Sequence, residues 1–545
     1  MEKNPSYVVT AARNALAPCF GDGSVAEELC QAVAKGAKNR DRIKNRQGDA
    51  RLELVIFDTD RIGSYVFDSK RPAVITGGSK ILKDLNEMIR EKYVQQTIFS
   101  GGGEGLLLLP ENKGQEACDW IKELYASITK GALSVTTAWL SAQPADFADL
   151  GLAEPGFPYA KAVGGTKALL AKLRDRIRAK KERLTHLLPV DGTGERCASC
   201  RDRIGTRKNE FRSDEGKLCE PCAVRWAKGK SLIDGTSFEE VVARFQTSGS
   251  TAEKQRYLSF VYCDGNGMGE IFAGLRSLYD FRLLSQTVAQ LFEYLDQQVR
   301  DRAAGYGLSE KDIISLLGGG DEKIWILPAS LAIEVCRLLP EWIDRFVGTH
   351  RKGVSSPALT VGTGLVICEH KYPVRYMYEL ACQLQDSAKS CFYQKDAIPV
   401  SSIDFAVISD ASPLAEDLAA SRHLAFASDV PQLRLTCRPY KAKAFASLLK
   451  RIQGSGAVAR SQLYQLREAA REGPNVFLNH VCYQAARNAA TYENWLGHFG
   501  VRCSDPDQMR AFFLERSSQD PKWQQTWLGD AVELAPFLEQ GGSHA

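Results

Sequence analysis

No apolar run in this 545-residue sequence reaches the roughly 18 residues of a membrane-spanning helix. Leu106–Leu109 is a short burst that Pro110 ends. The opening MEKNPSYVVTAARNALAPCF has no basic stretch followed by an apolar one, so no secretory leader is expected. Excess charge of one sign is missing too. Lys and Arg total 70 against 66 Asp and Glu, a net charge of +4. Any nucleic-acid surface must then be a local patch rather than a global field. A disulfide framework is also missing: of 15 cysteines most stand singly, and four form two C-x-x-C pairs. That suits a reducing compartment and one metal site. With 44% apolar and 25% charged residues the chain is neither disordered nor fibrous. Its length exceeds a single core, at roughly 100–200 residues per domain. The expectation is a cytoplasmic, multidomain protein with no membrane partner.

Residues 1 to 50 read as helical and polar and end in the basic stretch AKGAKNRDRIKNRQ. A strand at Leu52–Phe57, a helical stretch (ILKDLNEMIREKY), two apolar runs around glycines (TIFSGGGEGLLLLP), a second helical stretch (GQEACDWIKELYASIT) and a strand (LSVTTAWL) follow. Apolar runs flanking glycines signal a hairpin. The order is therefore the split βαββαβ, ferredoxin-like pattern. It recurs downstream. The strand Tyr257–Cys263 is followed by a long helical region to about Gly305, the hairpin DIISLLGGGDEKIWILP, the helix LAIEVCRLLPEWIDRFV and the strand ALTVGTGLVI. The loop chemistry repeats as well: DTDRIG at 58–63 matches DGNGMG at 264–269, and SGGGEGLLLLP matches LGGGDEKIWILP. Matching order and matching tips mark an internal duplication. Further on, SSIDFAVIS and QLRLTCRPY read as strands, and the chain from Lys441 reads as mainly helical.

Between the copies, Cys197, Cys200, Cys219 and Cys222 make C-x2-C-x18-C-x2-C. Two such knuckles complete a tetrahedron around Zn2+, and four protein ligands leave no open position, so the expected role is structural. The second kind of chemistry lies at the strand ends. Asp264 ends the first strand of the second copy, and Asp321 and Glu322 sit at its hairpin tip. In a ferredoxin-like sheet the first strand lies beside the third, so these carboxylates are expected to converge. Such acids hold Mg2+ or Mn2+, which take hard oxygen ligands. Gly265, Gly267, Gly269 and Gly318–Gly320, Gly319 and Gly320 among them, leave room for a triphosphate near the backbone. This is the apparatus of two-metal phosphoryl transfer. In the first copy Asp58 and Asp60 remain, but after Gly102 and Gly103 the hairpin offers only Glu104. That copy reads as a structural or nucleotide-binding partner.

DGNGMG followed by GGGDE, an earlier degenerate copy with DTDRIGSYVF and GGGEG, and a four-cysteine insert between them together resemble one family. It is the large palm-domain subunit of type III CRISPR effector complexes, which makes cyclic oligoadenylates. The stretch ICEHKYPVRYMYELACQLQDSAK is similar to that family too. The resemblance covers about 51 to 440. It implies an α+β chain: two ferredoxin-like palm (βαββαβ) domains, a four-cysteine zinc-binding insert between them and a helical C-terminal domain. The boundaries read as a helical segment at 1–50, a degenerate first palm at 51–150, a basic helical linker at 151–190, the zinc-binding module at 191–230, the second palm at 231–440 and the C-terminal domain at 441–545. It further implies that the palms face each other and hold two nucleotides. Asp264, Asp321 and Glu322 match the catalytic acids, and Lys389 matches a position where a lysine meets phosphate. Gly265, Asn266, Gly267, Gly319, Gly320, Asp58, Asp60, Gly102, Gly103 and Glu104 are the remaining nucleotide-binding candidates. Lys371 and Arg375 are weaker ones.

Three departures stand out. No His-Asp dipeptide marks a nuclease domain, Asn266 stands where an acid is common, and Glu322 replaces the second aspartate of a GGDD hairpin. The expected substrates are nucleoside triphosphates, ATP first, with guide or target RNA and other effector subunits as further partners. The chain is short for the family, so a standalone defence module without guide RNA is an alternative. So is a catalytically silent nucleotide- or RNA-binding scaffold, and so is a dinucleotide cyclase of the GGDEF type. Finally, Lys172, Arg176 and Lys180 fall on one helical face, which reads either as a phosphate contact or as a solvated face. QLYQLREAAREG reads as an amphipathic helix for core packing, subunit docking or RNA.

Overall fold

Three helices, α1 (Ser6–Leu16), α2 (Ser24–Lys35) and α3 (Arg40–Gln47), lead into β1 (Leu52–Thr59). The chain continues through α4 (Ile62–Phe67), α5 (Pro72–Lys92), β2 (Thr97–Gly101), β3 (Glu104–Pro110), α6 (Gly114–Thr129), β4 (Val135–Ala142) and α7 (Gly165–Glu182). Then come α8 (Glu220–Gly229), α9 (Phe238–Arg244), β5 (Tyr257–Gly265), α10 (Met268–Ala273), α11 (Leu278–Ala304), β6 (Ile314–Gly318), β7 (Glu322–Pro328), α12 (Ala329–His350), β8 (Val361–Glu369), α13 (Val374–Lys389) and β9 (Ser402–Ile408). The remainder comprises α14 (Leu418–Ala425), β10 (Leu433–Arg434), β11 (Tyr440–Lys441), α15 (Ala442–Gly454), α16 (Arg460–Arg471), α17 (Pro474–Arg487), α18 (Ala489–Gly497), α19 (Pro506–Phe513), β12 (Leu514–Arg516), β13 (Gln524–Thr526) and α20 (Leu528–Leu534). This computed structural model describes all residues except 1–5, 20–23, 38, 149–164, 184–193, 209–215, 234–236, 246–256, 319, 351–358, 394–398, 409–416, 456–457, 518–521 and 539–545. The described residues form two compact units. One is Met1–Glu240 with Gly267–Arg300 and Glu310–Ile324; the other is Val241–Asn266 with Asp301–Ser309 and Trp325–Ala545.

The first palm is a four-stranded sheet of order β2-β3-β1-β4. Period-two alternation decides what each face meets. Leu52 and Leu54 of β1, Leu106 and Leu108 of β3, and Ala138 and Leu140 of β4 share a core with α1, α2 and Leu169, Leu170, Leu173 and Ile177 of α7. The same face carries Asp58 at the end of β1, opposite Glu104 of β3. The second palm has the order β11-β9-β8-β5-β7-β6. Its last four strands, β8-β5-β7-β6, repeat the ferredoxin-like order, and β9 is added parallel to β8. Every residue of β8 but Glu369 is buried, as a central strand requires. Two ferredoxin-like palms, an intervening four-cysteine module and a mainly helical C-terminal region are thus the architecture.

One strand expected from the sequence does not form as read. In QLRLTCRPY only Leu433–Arg434 and Tyr440, the first residue of β11, are strand. Between them the backbone turns to the buried Asp530 of α20, which accepts from the Cys437 N–H (2.8 Å), Thr436 Oγ1 (2.6 Å) and Arg438 Nε (2.8 Å). A buried carboxylate has to be saturated by donors, and this one draws them from the segment that would otherwise pair in a sheet.

Candidate active site

The four cysteines come together. Their Sγ atoms all lie within 4.8 Å of one another, and all four are buried. Cys200 and Cys219 stand 3.8 Å apart, the edge expected of a tetrahedron with metal–sulfur bonds of about 2.3 Å. Backbone N–H groups of Ser199 and Cys219 donate to Cys197 Sγ at 3.4 and 3.2 Å, and Arg225 Nη2 donates to Cys222 Sγ at 3.1 Å. Donors aimed at sulfur stabilise thiolates, so the donor set fits a metal. Arg225, fully buried, also holds Asp68 through two bonds of 2.6 and 3.0 Å. This ties the module to the first palm, and α8 seats it against α5. A Cβ on Gly77 would stand 1.7 Å from the Arg225 carbonyl oxygen, and one on Gly229 would stand 1.9 Å from that of Ala73. The two helices cross at backbone distance, where only glycine fits. Nothing in the sequence marked Arg225 or Gly77; both are defined by partners more than 100 positions away.

In the first palm the strand-end acids are already paired. Lys181, from the last turn of α7, places its Nζ 2.6 Å from Asp58 Oδ2 and 3.5 Å from Asp60 Oδ1. Asp60 turns toward the start of β4, accepting from Ser134 Oγ and Thr136 Oγ1 at 2.8 Å each. The β2–β3 connection is a two-residue turn, with Gly101 paired to Glu104 and Gly102 and Gly103 at φ of 64° and 85°. Two successive positive φ values define the tight hairpin turn that matches strand twist. A Cβ on Gly103 would strike Ile62 Cδ1 at 2.7 Å and Thr59 Oγ1 at 2.8 Å. Glu104 reaches solvent but stands in dense surroundings. That burial, then the charges of Asp58 and of Asp321, push its carboxyl up to about 7, against the pull of Lys181 and Arg174.

In the second palm Asp264 Oδ2 accepts from Lys389 Nζ at 2.5 Å and Gln385 Nε2 at 3.1 Å, both on α13. Asn266 is buried. Its N–H donates to the Thr360 carbonyl (2.8 Å) and its Nδ2 to Thr360 Oγ1 (3.0 Å), while its Oδ1 meets no donor among the described residues. Asp60 does the same in the first palm, donating its N–H to Ser134 O at 3.0 Å. The acid-to-amide change at 266 therefore falls on a residue that pins the start of the fourth strand in both copies. Gly265 pairs with Val361 at the end of β5, and Gly267 caps α10 at φ 63°. The second hairpin is longer by one residue: β6 ends at Gly318 and β7 begins at Glu322. Glu104 and Glu322 each open a seven-residue strand that ends in proline, so they are counterparts and Asp321 is the inserted residue. Gly320, at φ 90°, would bring a Cβ within 3.7 Å of Gly102 Cα, so the tips of the two hairpins approach each other within the first unit. Gly319 lies outside the described residues. Beneath this hairpin Asp296 of α11 accepts from Ser315 of β6 (2.6 Å) and pairs with the buried Lys323 of β7 (3.4 Å). Among the described residues, the four cysteines are the one group of three or more His, Cys, Asp or Glu gathered tightly enough to surround an ion.

The basic face of α7 does not point freely to solvent. Arg176 and Lys180 donate to the carbonyls of Trp139 and Thr137, the latter at 2.7 Å. They cap the open edge of β4, a common protection for an edge strand. Arg375 pairs with Glu379 on its own helix at 2.9 Å.

Residues 257–399 match the family model described as Cas10/Cmr2, second palm domain. No curated protein matches the chain. Solved structures do. A Csm1-Csm4 cassette in complex with pppApA aligns with a TM-score of 0.56 and 12% identity, over 94% of this chain and 74% of that one. One in complex with cA4 gives 0.55 and 13%, over 91% and 71%. One in complex with pppApApA gives 0.54 and 14%, over 97% and 72%. Identities this low show a shared fold. The chain spans between 53% and 74% of the length of such structures. The second palm is thus of the Cas10/Cmr2 kind, and the chain resembles the large Cas10-type subunit of type III CRISPR effectors.

Proposed function

We propose that this chain, with its Cas10/Cmr2 second palm, is a nucleotidyltransferase that joins nucleoside triphosphates, ATP first, into cyclic oligonucleotides that serve as second messengers in antiviral defence. The observation that carries this reading is the approach of the two hairpin tips, Gly320 against Gly102, with Asp321 near enough to raise the Glu104 pKa. Two glycine tips meeting beside carboxylates leave side-chain-free backbone on both sides, which suits a pair of triphosphates. Asp264, Asp321 and Glu322 would hold Mg2+ or Mn2+, which would lower the charge cost of attack by a 3′-hydroxyl and of pyrophosphate departure. Lys389 would leave Asp264 for a phosphate oxygen as the substrate arrives. Gly265, Gly267, Gly319 and Gly320 would admit the triphosphate. Gly102, Gly103, Glu104, Asp58 and Asp60 would line the acceptor side, and Asn266 would brace the fourth strand of its own palm. Zn2+ in Cys197, Cys200, Cys219 and Cys222 would be structural, and its removal by chelation should lower the melting temperature along with the measured zinc content.

The solved neighbours are Csm1-Csm4 cassettes, one of them in complex with AMPPNP, which supports ATP-like ligands and a partner subunit for this chain. Guide or target RNA would then belong to the assembly, in the cytoplasm. The test is incubation of the full chain with each nucleoside triphosphate and Mg2+ or Mn2+, products being read by mass spectrometry. A product made by the wild type and absent from the Asp321→Ala, Glu322→Ala double variant is expected. Absence of product together with absence of metal-dependent nucleotide binding would leave a second reading, a catalytically silent nucleotide- or RNA-binding scaffold. The Asp264–Lys389 pair, which already neutralises the first-strand acid, is the observation that favours that alternative.

A further inference from the structure

The duplication runs past the fourth strand. Helix α7 follows β4 and packs on β1 and β4, while α13 follows β8 and packs on β5 and β8. The last turn of each helix carries a lysine on the first-strand aspartate of its own palm: Lys181 on Asp58 at 2.6 Å, and Lys389 on Asp264 at 2.5 Å. The surroundings differ. Around Lys181 stand three carboxylates. Asp58 meets it directly and Asp60 lies 3.5 Å away, while Glu104 occupies the position opposite Asp58 across the β1–β3 ladder. Side chains directly opposite on one sheet face have Cβ atoms roughly 5 Å apart. Two acids so placed, with a third beside them, would ordinarily call for a divalent cation.

From this we infer that Lys181 is the resident cation of the first palm: its ammonium takes the place of a metal ion in front of Asp58, so that this half carries no ion of its own. Helix α7 delivers the ammonium intramolecularly. A tethered group has a local concentration in the millimolar range or above, comparable with the weak sites that one or two carboxylates make for Mg2+ or Mn2+. Asp60 adds little to such a site, because both of its oxygens already accept hydroxyls. Glu104 is part-protonated near neutral pH, which weakens it as a ligand too. Arg174 of α7 brings a second positive charge close to Glu104. The first palm therefore has its charge balanced by protein alone.

The inference rests on reading the second palm as the metal-bearing half, but its test counts ions and does not use product formation. Nucleotide-free full chain is titrated with Mn2+ to about 1 mM, bound ion being counted by equilibrium dialysis and by electron paramagnetic resonance. Lys181→Ala should bind one more Mn2+ per chain than wild type, and the added Asp58→Asn change should remove that extra ion. Asp58→Asn alone should leave the wild-type count unchanged, as should Lys181→Arg. An unaltered count in folded Lys181→Ala overturns the proposal. So does a count lowered by Asp58→Asn alone, which decides the matter even where Lys181→Ala does not fold. Failure of the second palm to bind Mn2+ would lower every count equally and speak only against the nucleotidyltransferase reading.

Discussion

The two palms are built from the same parts, and they differ by a residue. Both have a first-strand aspartate held by a lysine from the following helix. Both have a hydroxyl residue just before the fourth strand bonded by position 60 or 266, and a hairpin whose second strand opens with glutamate. The second hairpin carries Asp321 in a three-residue connection, whereas the first closes in two glycines. A tight turn offers no position from which a carboxylate can project forward. On the proposed reading, a first palm without metal chemistry needs no change of fold: a turn one residue shorter is enough, and the lysine of the following helix balances the first-strand acid.

The sharpest way to break this comparison is to delete equivalent acids. Asp321→Ala should cut product formation from ATP on the order of a thousandfold, as removal of a metal-holding carboxylate does. Asp58→Ala should cost no more than about tenfold, since the first palm has only to seat a nucleotide. Equal losses by quantitative mass spectrometry would mean that the palms are equal partners. Next in size, Lys389→Met should lower turnover by roughly tenfold to a hundredfold, in the range of losing one preorganised donor to developing charge. Lys181→Met should leave turnover within about threefold, because its ammonium serves Asp58 rather than the reacting phosphates. A turnover assay under saturating ATP separates the two.

Smaller effects bear on what supports the first palm. Gly77→Ala would drive a methyl into the Arg225 carbonyl. Overpacking of this kind costs about 1–3 kcal/mol, so the denaturation midpoint should fall. A matched Gly269→Ala in the second palm, within α10 where a Cβ meets nothing within 4 Å, should cost nothing and stabilise by up to about 1 kcal/mol. The smallest effect is in pH. The folded Glu104 carboxyl titrates near 7, above its ordinary 4.5, so between those values the folded chain holds more of this proton than the unfolded chain. Stability contributed at this site is thus present below 4.5 and declines as pH rises toward 7. Glu104→Gln should flatten that part of the stability profile in chemical denaturation.

Much of the layout could be read from the residues, because periodicity, glycine clusters and cysteine spacing are local signals. The strand order of both palms, the four-cysteine cluster and the repeat itself all belong here. What escaped reading depends on pairs far apart in the chain. Lys181 finds Asp58 across 123 positions, and no window of sequence relates them. Arg176 and Lys180 look like a phosphate-binding row because a helix face is visible in sequence, whereas the bare edge of β4 that they cover is not. QLRLTCRPY has the composition of a strand, yet Asp530, some 90 residues later, claims its backbone. Asn266 looked like a weakened catalytic position, and only the matching bonds of Asp60 reveal a bracing role.

The two-glycine turn of the first palm has a genetic consequence. An acid is not tolerated at Gly103, since a side chain there would need φ near 85° and would collide with Ile62 and Thr59. A connection of the length that carries Asp321 in the second hairpin would require an added codon. A point substitution at Gly103 therefore cannot make the two hairpins alike, and the difference between them is one of chain length rather than of residue type.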